Sequence, residues 1–165
     1  MTTPTYDLLA STTLSSAASS VQFSSLTTLA SGYRDLIISA DIGDTNSDYV
    51  YVQVNGDTST NYSDVTIENT QAQQRQRVLN KIPISWSGTT VAPGQRTHLQ
   101  FYIFNFATTT IQKTFLQRAG YSGSKTIFGV SKWHSNAAMQ SIRFAHDGSG
   151  NFIAGSTFNL YGVVA

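Results

Sequence analysis

Carboxylates and histidines are the residues most able to do chemistry here, and their spacing argues against it. The chain has one glutamate, Glu68, and aspartates at Asp7, Asp35, Asp41, Asp44, Asp48, Asp57, Asp64 and Asp147. Hydrolysis of a glycosidic bond needs two carboxyls flanking that bond, one as acid and one as nucleophile or base. These aspartates sit mostly among small polar residues, where the side chain bonds its own backbone, so they read as turn residues. Asp44-Thr45-Asn46-Ser47-Asp48 places oxygen side chains at alternate positions, as the first half of a calcium loop does. The following glycine and the bidentate glutamate are missing, so a plain polar loop is expected. His98, His134 and His146 are scattered, and structural or surface roles are expected for all three. Gly120-Tyr121-Ser122-Gly123 lacks the spacing of a nucleophile elbow, and no phosphate or dinucleotide glycine pattern occurs. Asn61-Tyr62-Ser63 is formally a glycosylation sequon, expected to be inert without an export signal. The expectation is no catalytic residue, no metal and no cofactor.

Binding by surface is the other possibility. Trp86, Trp133 and the eight tyrosines could form a platform for sugar rings, or fill the core or a subunit contact, where Trp and Tyr are enriched. Arg75, Arg77 and Lys81 form the one basic cluster, either a solvated loop or a dock for an acidic partner. Charged residues are only 12% of the chain, about half the usual share, with Ser, Thr, Asn and Gln in their place. The net charge of +1 argues against a nucleic-acid binder. With no cysteine there is neither a disulfide framework nor a thiolate zinc site. Met1 to Asp7 lacks a basic and apolar leader, and no apolar run approaches the roughly 20 residues that cross a bilayer. A soluble protein made in a cytoplasm is expected. The 165 residues fit one domain, 1–165, large enough for a core without staples.

The elements that must position these residues are strands. In Asp48-Tyr49-Val50-Tyr51-Val52-Gln53-Val54, valines alternate with Tyr and Gln at period two, and Asn55-Gly56 then tolerates the positive φ of a tight hairpin turn. Leu36, Ile38, Ala40 and Ile42 share a face of a second strong strand. Further strands are expected over Tyr6–Leu14 (with poor alternation), Val21–Phe23, Tyr62–Asn69, Lys81–Trp86, Lys113–Tyr121, Thr126–Trp133, Met139–Phe144 and Ser156–Val163. Leu26–Ala30 is a strand end or a helical turn. Thr70–Asn80 reads as a loop or edge strand rather than a short helix, and Pro83 belongs at an edge or a strand end. In Thr97–Phe106, Leu99, Phe101 and Ile103 face one way and Tyr102, Phe104 and Phe106 the other, which implies a strand covered on both sides. About ten strands, punctuated every 8–15 residues or so, give an all-β antiparallel two-sheet sandwich of jelly-roll type.

Three stretches resemble small virion proteins of tailed bacteriophages, as found among phages of cyanobacteria. They are Ser20–Leu26 with Tyr33–Leu36, Val52–Asp57 with Asn61–Ser63, and Asn151–Val163. The likeness spans nearly the whole chain and is weakest from about Gln71 to Gln95. It implies a jelly-roll structural protein of the virion rather than an enzyme. With no coiled-coil stalk, a capsid decoration (cement) protein that bridges major capsid protein subunits is favoured over a tail-fibre or tail-tip module binding a host glycan or receptor. A homotrimer suits the three-fold points of a capsid lattice. Trp86, Tyr102, Phe104 and Phe106, with Arg75 and Arg77, are the expected subunit or capsid contacts; no membrane or nucleic-acid partner is expected.

Overall fold

The computed structural model describes residues 5–46, 49–68, 74–84, 95–121 and 125–164, with the side chains at 68, 74–78, 121 and 125 outside that description. Among these, twelve strands and one helical turn follow in the order β1 (Tyr6–Thr13), β2 (Ser20–Ser24), α1 (Leu26–Leu29), β3 (Tyr33–Gly43), β4 (Val50–Val54), β5 (Tyr62–Glu68), β6 (Gln74–Leu79), β7 (Ile82–Pro83), β8 (Arg96–Phe104), β9 (Lys113–Tyr121), β10 (Lys125–Trp133), β11 (Ser141–His146) and β12 (Thr157–Val164).

The pairing defines the topology. β1 pairs with β12, β2 with β11, β3 with β8 and β4 with β7, all antiparallel. The first four strands are therefore matched in order by later strands running backwards, as in one long ribbon folded over. Bonds from β12 to β3 and from β11 to β4 then set alternate rungs into two sheets. This wrapping is the jelly roll. The antiparallel pairs β5–β6 and β9–β10 are additions, and both join the same sheet beyond β8. The result is an eight-stranded sheet, β1-β12-β3-β8-β9-β10-β5-β6, over a four-stranded one, β2-β11-β4-β7.

One apolar cluster joins the two sheets. Leu36, Ile38, Ala40 and Ile42 of β3 point inward with Leu99, Phe101 and Ile103 of β8, towards Val50, Val52 and Val54 of β4 and Phe144 of β11. Phe101 stacks on Phe115 at 5.2 Å and meets Phe144 edge-on at 6.1 Å.

Three expectations need correction, and the irregularity of a fourth stretch is explained. Asn55 and Gly56 do turn with φ of 53° and 67°, but they do not close a hairpin, because β4 and β5 belong to different sheets. Phe106 does not share a face with Tyr102 and Phe104. Asn105, at φ 50°, ends β8 and turns Phe106 into the core, where it is 1% exposed. The weak alternation of β1 comes from a bulge between Leu8 and Ala10, which sends Leu8 outward and Ala10 inward. Asp7, Asp35, Asp41 and Asp64 lie in strands, not in turns.

Where the chain leaves the smaller sheet, Tyr62 ties the two sheets together. Its buried hydroxyl accepts from the Val54 N–H (3.1 Å) and donates to the Asp57 carbonyl (3.0 Å). Trp133 Nε1 and Asn61 Nδ2 donate to Asp57 Oδ2 at 2.7 and 3.0 Å, and the Ser59 N–H donates to Oδ1. Burial alone raises the Asp57 carboxyl pKa, but these hydrogen bonds outweigh it and hold the group below its usual value. Burial pushes the Tyr62 phenol up to about 12. A folded-state value above the unfolded one means stability is complete below the unfolded pKa of about 10 and is lost as pH rises through about 12. Tyr62→Phe is expected to cost roughly 1–3 kcal/mol at neutral pH, from partners left unpaired, and to flatten the alkaline fall. Urea unfolding at pH 7 and pH 11 checks both effects; an unchanged pH profile in the variant would show that Tyr62 is not the responsible group.

Candidate functional site

The aspartates among the described residues are engaged in holding the fold. Asp64, 2% exposed, accepts from Ser131 Oγ (2.6 Å), Gln117 Nε2 (3.2 Å) and Thr66 Oγ1 on the inner face of β5, β9 and β10. Gln117 also donates to the Pro83 carbonyl at 3.2 Å, which anchors the rim of the smaller sheet. Gly129 lies in the middle of this cluster; a Cβ there would meet Gln117 Nε2 at 2.9 Å. Asp35 accepts from Arg34 and from the Asn105 N–H, Asp41 from Arg96, and Asp7 from the Tyr33 hydroxyl. Asp44 lies 3.3 Å from His146 Nδ1, and that ring packs on Phe152 at 4.4 Å. Asn46 N–H caps Asp44 Oδ1, while Ser47 and Asp48 of the same loop lie outside the described residues.

The histidines do not converge. His98 is exposed on β8, His134 is exposed near Ser63 and Gln112, and His146 is buried at the end of β11. Among the described residues no group of three or more His, Cys, Asp or Glu side chains could hold a metal ion. Lys113 is fully buried; its Nζ donates to the carbonyls of Thr108 (2.6 Å) and Ile111 (2.8 Å), a clasp on the β8–β9 connection. Trp133 is 3% exposed and so belongs to no surface platform.

The unusual surface is the outer face of the eight-stranded sheet. Cross-strand register lines up Leu8, Tyr161, Ile37, Tyr102, Leu116, Val130 and Val65 in one row across seven strands. Arg75 of β6 continues the row by register. On one side of it stand Phe128 and Ile67, on the other Tyr6, Val163 and Phe104. Ile67, Phe128, Val130 and Val65 are 51%, 50%, 44% and 40% exposed, so the apolar surface is not folded away. The smaller sheet differs. Its outer positions are Ser20, Gln22, Ser24, Ser141, Arg143, Gln53 and the buried Ala145, with Tyr51 under the Lys81 ammonium. A sheet face open to water normally alternates to polar residues, as the smaller sheet's does.

The expected contact residues divide accordingly. Tyr102 and Phe104 lie half-buried on this face, their rings stacked at 5.1 Å. Arg75 and Arg77 stand on β6 opposite Val65 and Ser63, at the edge of the same sheet. Phe106 is in the core, and Trp86 lies outside the described residues. The exposed ridge Val65, Ile67, Phe128, Val130 was not singled out from sequence. The signal was there, because Ile127-Phe128-Gly129-Val130 is apolar on both faces, as β8 is.

No family model matches the chain, and no curated protein matches it. Among solved structures it is similar to the marine PL-14 alginate lyase from Aplysia kurodai, with 9% identity over 81% of this chain and 69% of that one and a TM-score of 0.34, a likeness too distant to speak of activity.

If the inner cluster is structural and the outer row is spare, the two respond differently to substitution. Asp64→Ala is expected to destabilise by roughly 2–4 kcal/mol, because several buried donors lose their acceptor. Val130→Thr is expected to change stability by no more than about 0.5 kcal/mol. Denaturant midpoints check both, and equal losses would contradict the division.

Proposed function

We propose that this chain is a non-catalytic structural protein of a tailed-phage particle, a capsid decoration protein that stabilises the head by bridging major capsid protein subunits. The observation that carries the reading is the apolar row on the larger sheet, exposed among the described residues at Leu8, Val65 and Val130, with Ile67 and Phe128 beside it. Large exposed apolar patches on a folded chain mark contact surfaces. The ridge on β5 and β10 combines exposed Val65, Ile67, Phe128 and Val130, and register places Arg75 and Arg77 on the neighbouring edge strand. The resemblance to phage virion proteins supplies the partner and the setting. Cyclic homotrimers would place three such ridges around a capsid three-fold point, where many weak contacts add up over the particle.

Purified particles test this. Quantitative gels are expected to give hundreds of copies per particle, and particles lacking the protein are expected to lose their heads to heat or low salt sooner. Few copies per particle, with loss of adsorption on deletion, would instead mean a tail module. The double variant Val65→Asp with Ile67→Asp is expected to fold as the wild type does but fail to add to undecorated heads; decoration at wild-type level would remove the ridge from the account.

A further inference from the structure

The same outer face holds a second feature beside the ridge. A groove of about 560 Å³ runs over β12, β3, β8 and β9, with Tyr6 of β1 and Phe128 of β10 at its ends, within the size range of ligand sites. Its walls include the aromatic rings of Tyr6, Tyr102, Tyr161 and Phe128. Ser39, Gln100 and Arg118 contribute its polar side, and register sets these three in one row next to the Tyr161–Ile37–Tyr102–Leu116 row. With strands about 4.8 Å apart, the paired rows are about 15 Å long. Arg118 is held in place by its Nε–H donated to Gln100 Oε1 at 2.6 Å and by a second bond from Nη2 to the same oxygen. A guanidinium has five N–H donors, so others remain for a ligand. Among the described residues it is the one charged side chain lining the groove, and no carboxylate lines it.

We propose that this groove binds a carboxylated polysaccharide, with sugar rings lying on the tyrosines, hydroxyls meeting Ser39 and Gln100, and a carboxylate meeting Arg118. A sugar ring has an apolar C–H face and a hydroxyl edge, which is the pairing that an aromatic row beside a planar polar row offers. Tyrosine suits such a place because it joins an apolar ring to a polar tip. The guanidinium fork matches a carboxylate with two parallel bonds. A second copy of this chain fits worse. Two concave grooves facing each other leave space unfilled, and a two-fold contact there would bring Arg118 towards its own counterpart. Phe128 belongs to both groove and ridge, but Val65 and Ile67 on β5 lie outside the groove lining, so the two surfaces can be tested separately.

Calorimetric titration of the folded protein with polygalacturonate, hyaluronate and polysialic acid tests the proposal, with neutral dextran and dextran sulfate as controls. At least one carboxylated polymer is expected to bind with Kd below about 1 mM per site, and dextran is expected not to bind. Arg118→Gln and Tyr102→Ala are each expected to weaken that binding roughly tenfold or more, with melting curves confirming that both are folded. Val65→Asp with Ile67→Asp is expected to leave it unchanged. Failure of all three carboxylated polymers overturns the proposal. So does binding that dextran sulfate matches and Tyr102→Ala does not weaken, which would mean simple ion pairing. Loss of head decoration in the Arg118 and Tyr102 variants, without any polysaccharide binding, would assign the groove to a protein partner instead.

Discussion

The fold depends on one small junction, the hydroxyl of Tyr62 lodged between Val54 and Asp57. At this point the chain stops building the smaller sheet and begins to widen the larger one. A jelly roll needs only four strands per sheet. Here β5, β6, β9 and β10 all extend one sheet, so the larger is twice as wide as its cover. Such an extension holds only if its inner face is fixed to something. Tyr62, Asp57 and Trp133 fix one end of it. The Asp64 cluster fixes the middle, with Gln117 reaching the Pro83 carbonyl at the rim of the smaller sheet. The inner face changes character there, from packed aliphatic and aromatic side chains to hydrogen-bonded polar ones. Buried polar groups of this kind are tolerated where donors meet acceptors, as Ser131, Gln117 and Thr66 do at Asp64.

Widening one sheet has a consequence on its other side. Eight strands present a broad outer face, and this chain lines it with an apolar row flanked by aromatic and polar ones. The smaller sheet shows what the same chain does with a face meant for water: serine, glutamine and arginine at successive outward positions. The contrast within one molecule makes the apolar row a feature of the larger sheet and not of the overall composition. The described aspartates, by contrast, are absorbed into turns, ion pairs and the interior, and the three histidines stay apart from one another.

The fold was largely legible in the sequence, since period-two alternation needs only local information. The inward sets of β3 and β4 can be read residue by residue. Pro83 correctly marked a sheet edge, and Gln74–Leu79 is an edge strand. What could not be read was any relation between distant segments. Asn55-Gly56 has the chemistry of a hairpin turn, and it adopts the dihedrals of one, yet the strands it joins part company because β4 pairs with β11 and β7. Phe106 was misplaced because a single left-handed residue, Asn105, shifts the face by one position. Of the larger sheet's outer face, Tyr102 and Phe104 were visible through the doubly apolar strand, and the positions of Arg75 and Arg77 at its edge through the basic cluster. The ridge at Val65, Ile67, Phe128 and Val130 was not. Its members come from two strands about sixty residues apart, and only the β5–β10 register makes them neighbours.

The central claim is that the outer face of the larger sheet is the working surface. Hydroxyl-radical footprinting of the protein free in solution and in place on intact particles tests this most directly. Strong protection of Phe128, Val130, Val65 and Ile67 on the particle is predicted, with Tyr51 and Arg143 of the smaller sheet labelled equally in both. Protection confined to the smaller sheet, with the ridge as reactive on the particle as off it, would contradict the account.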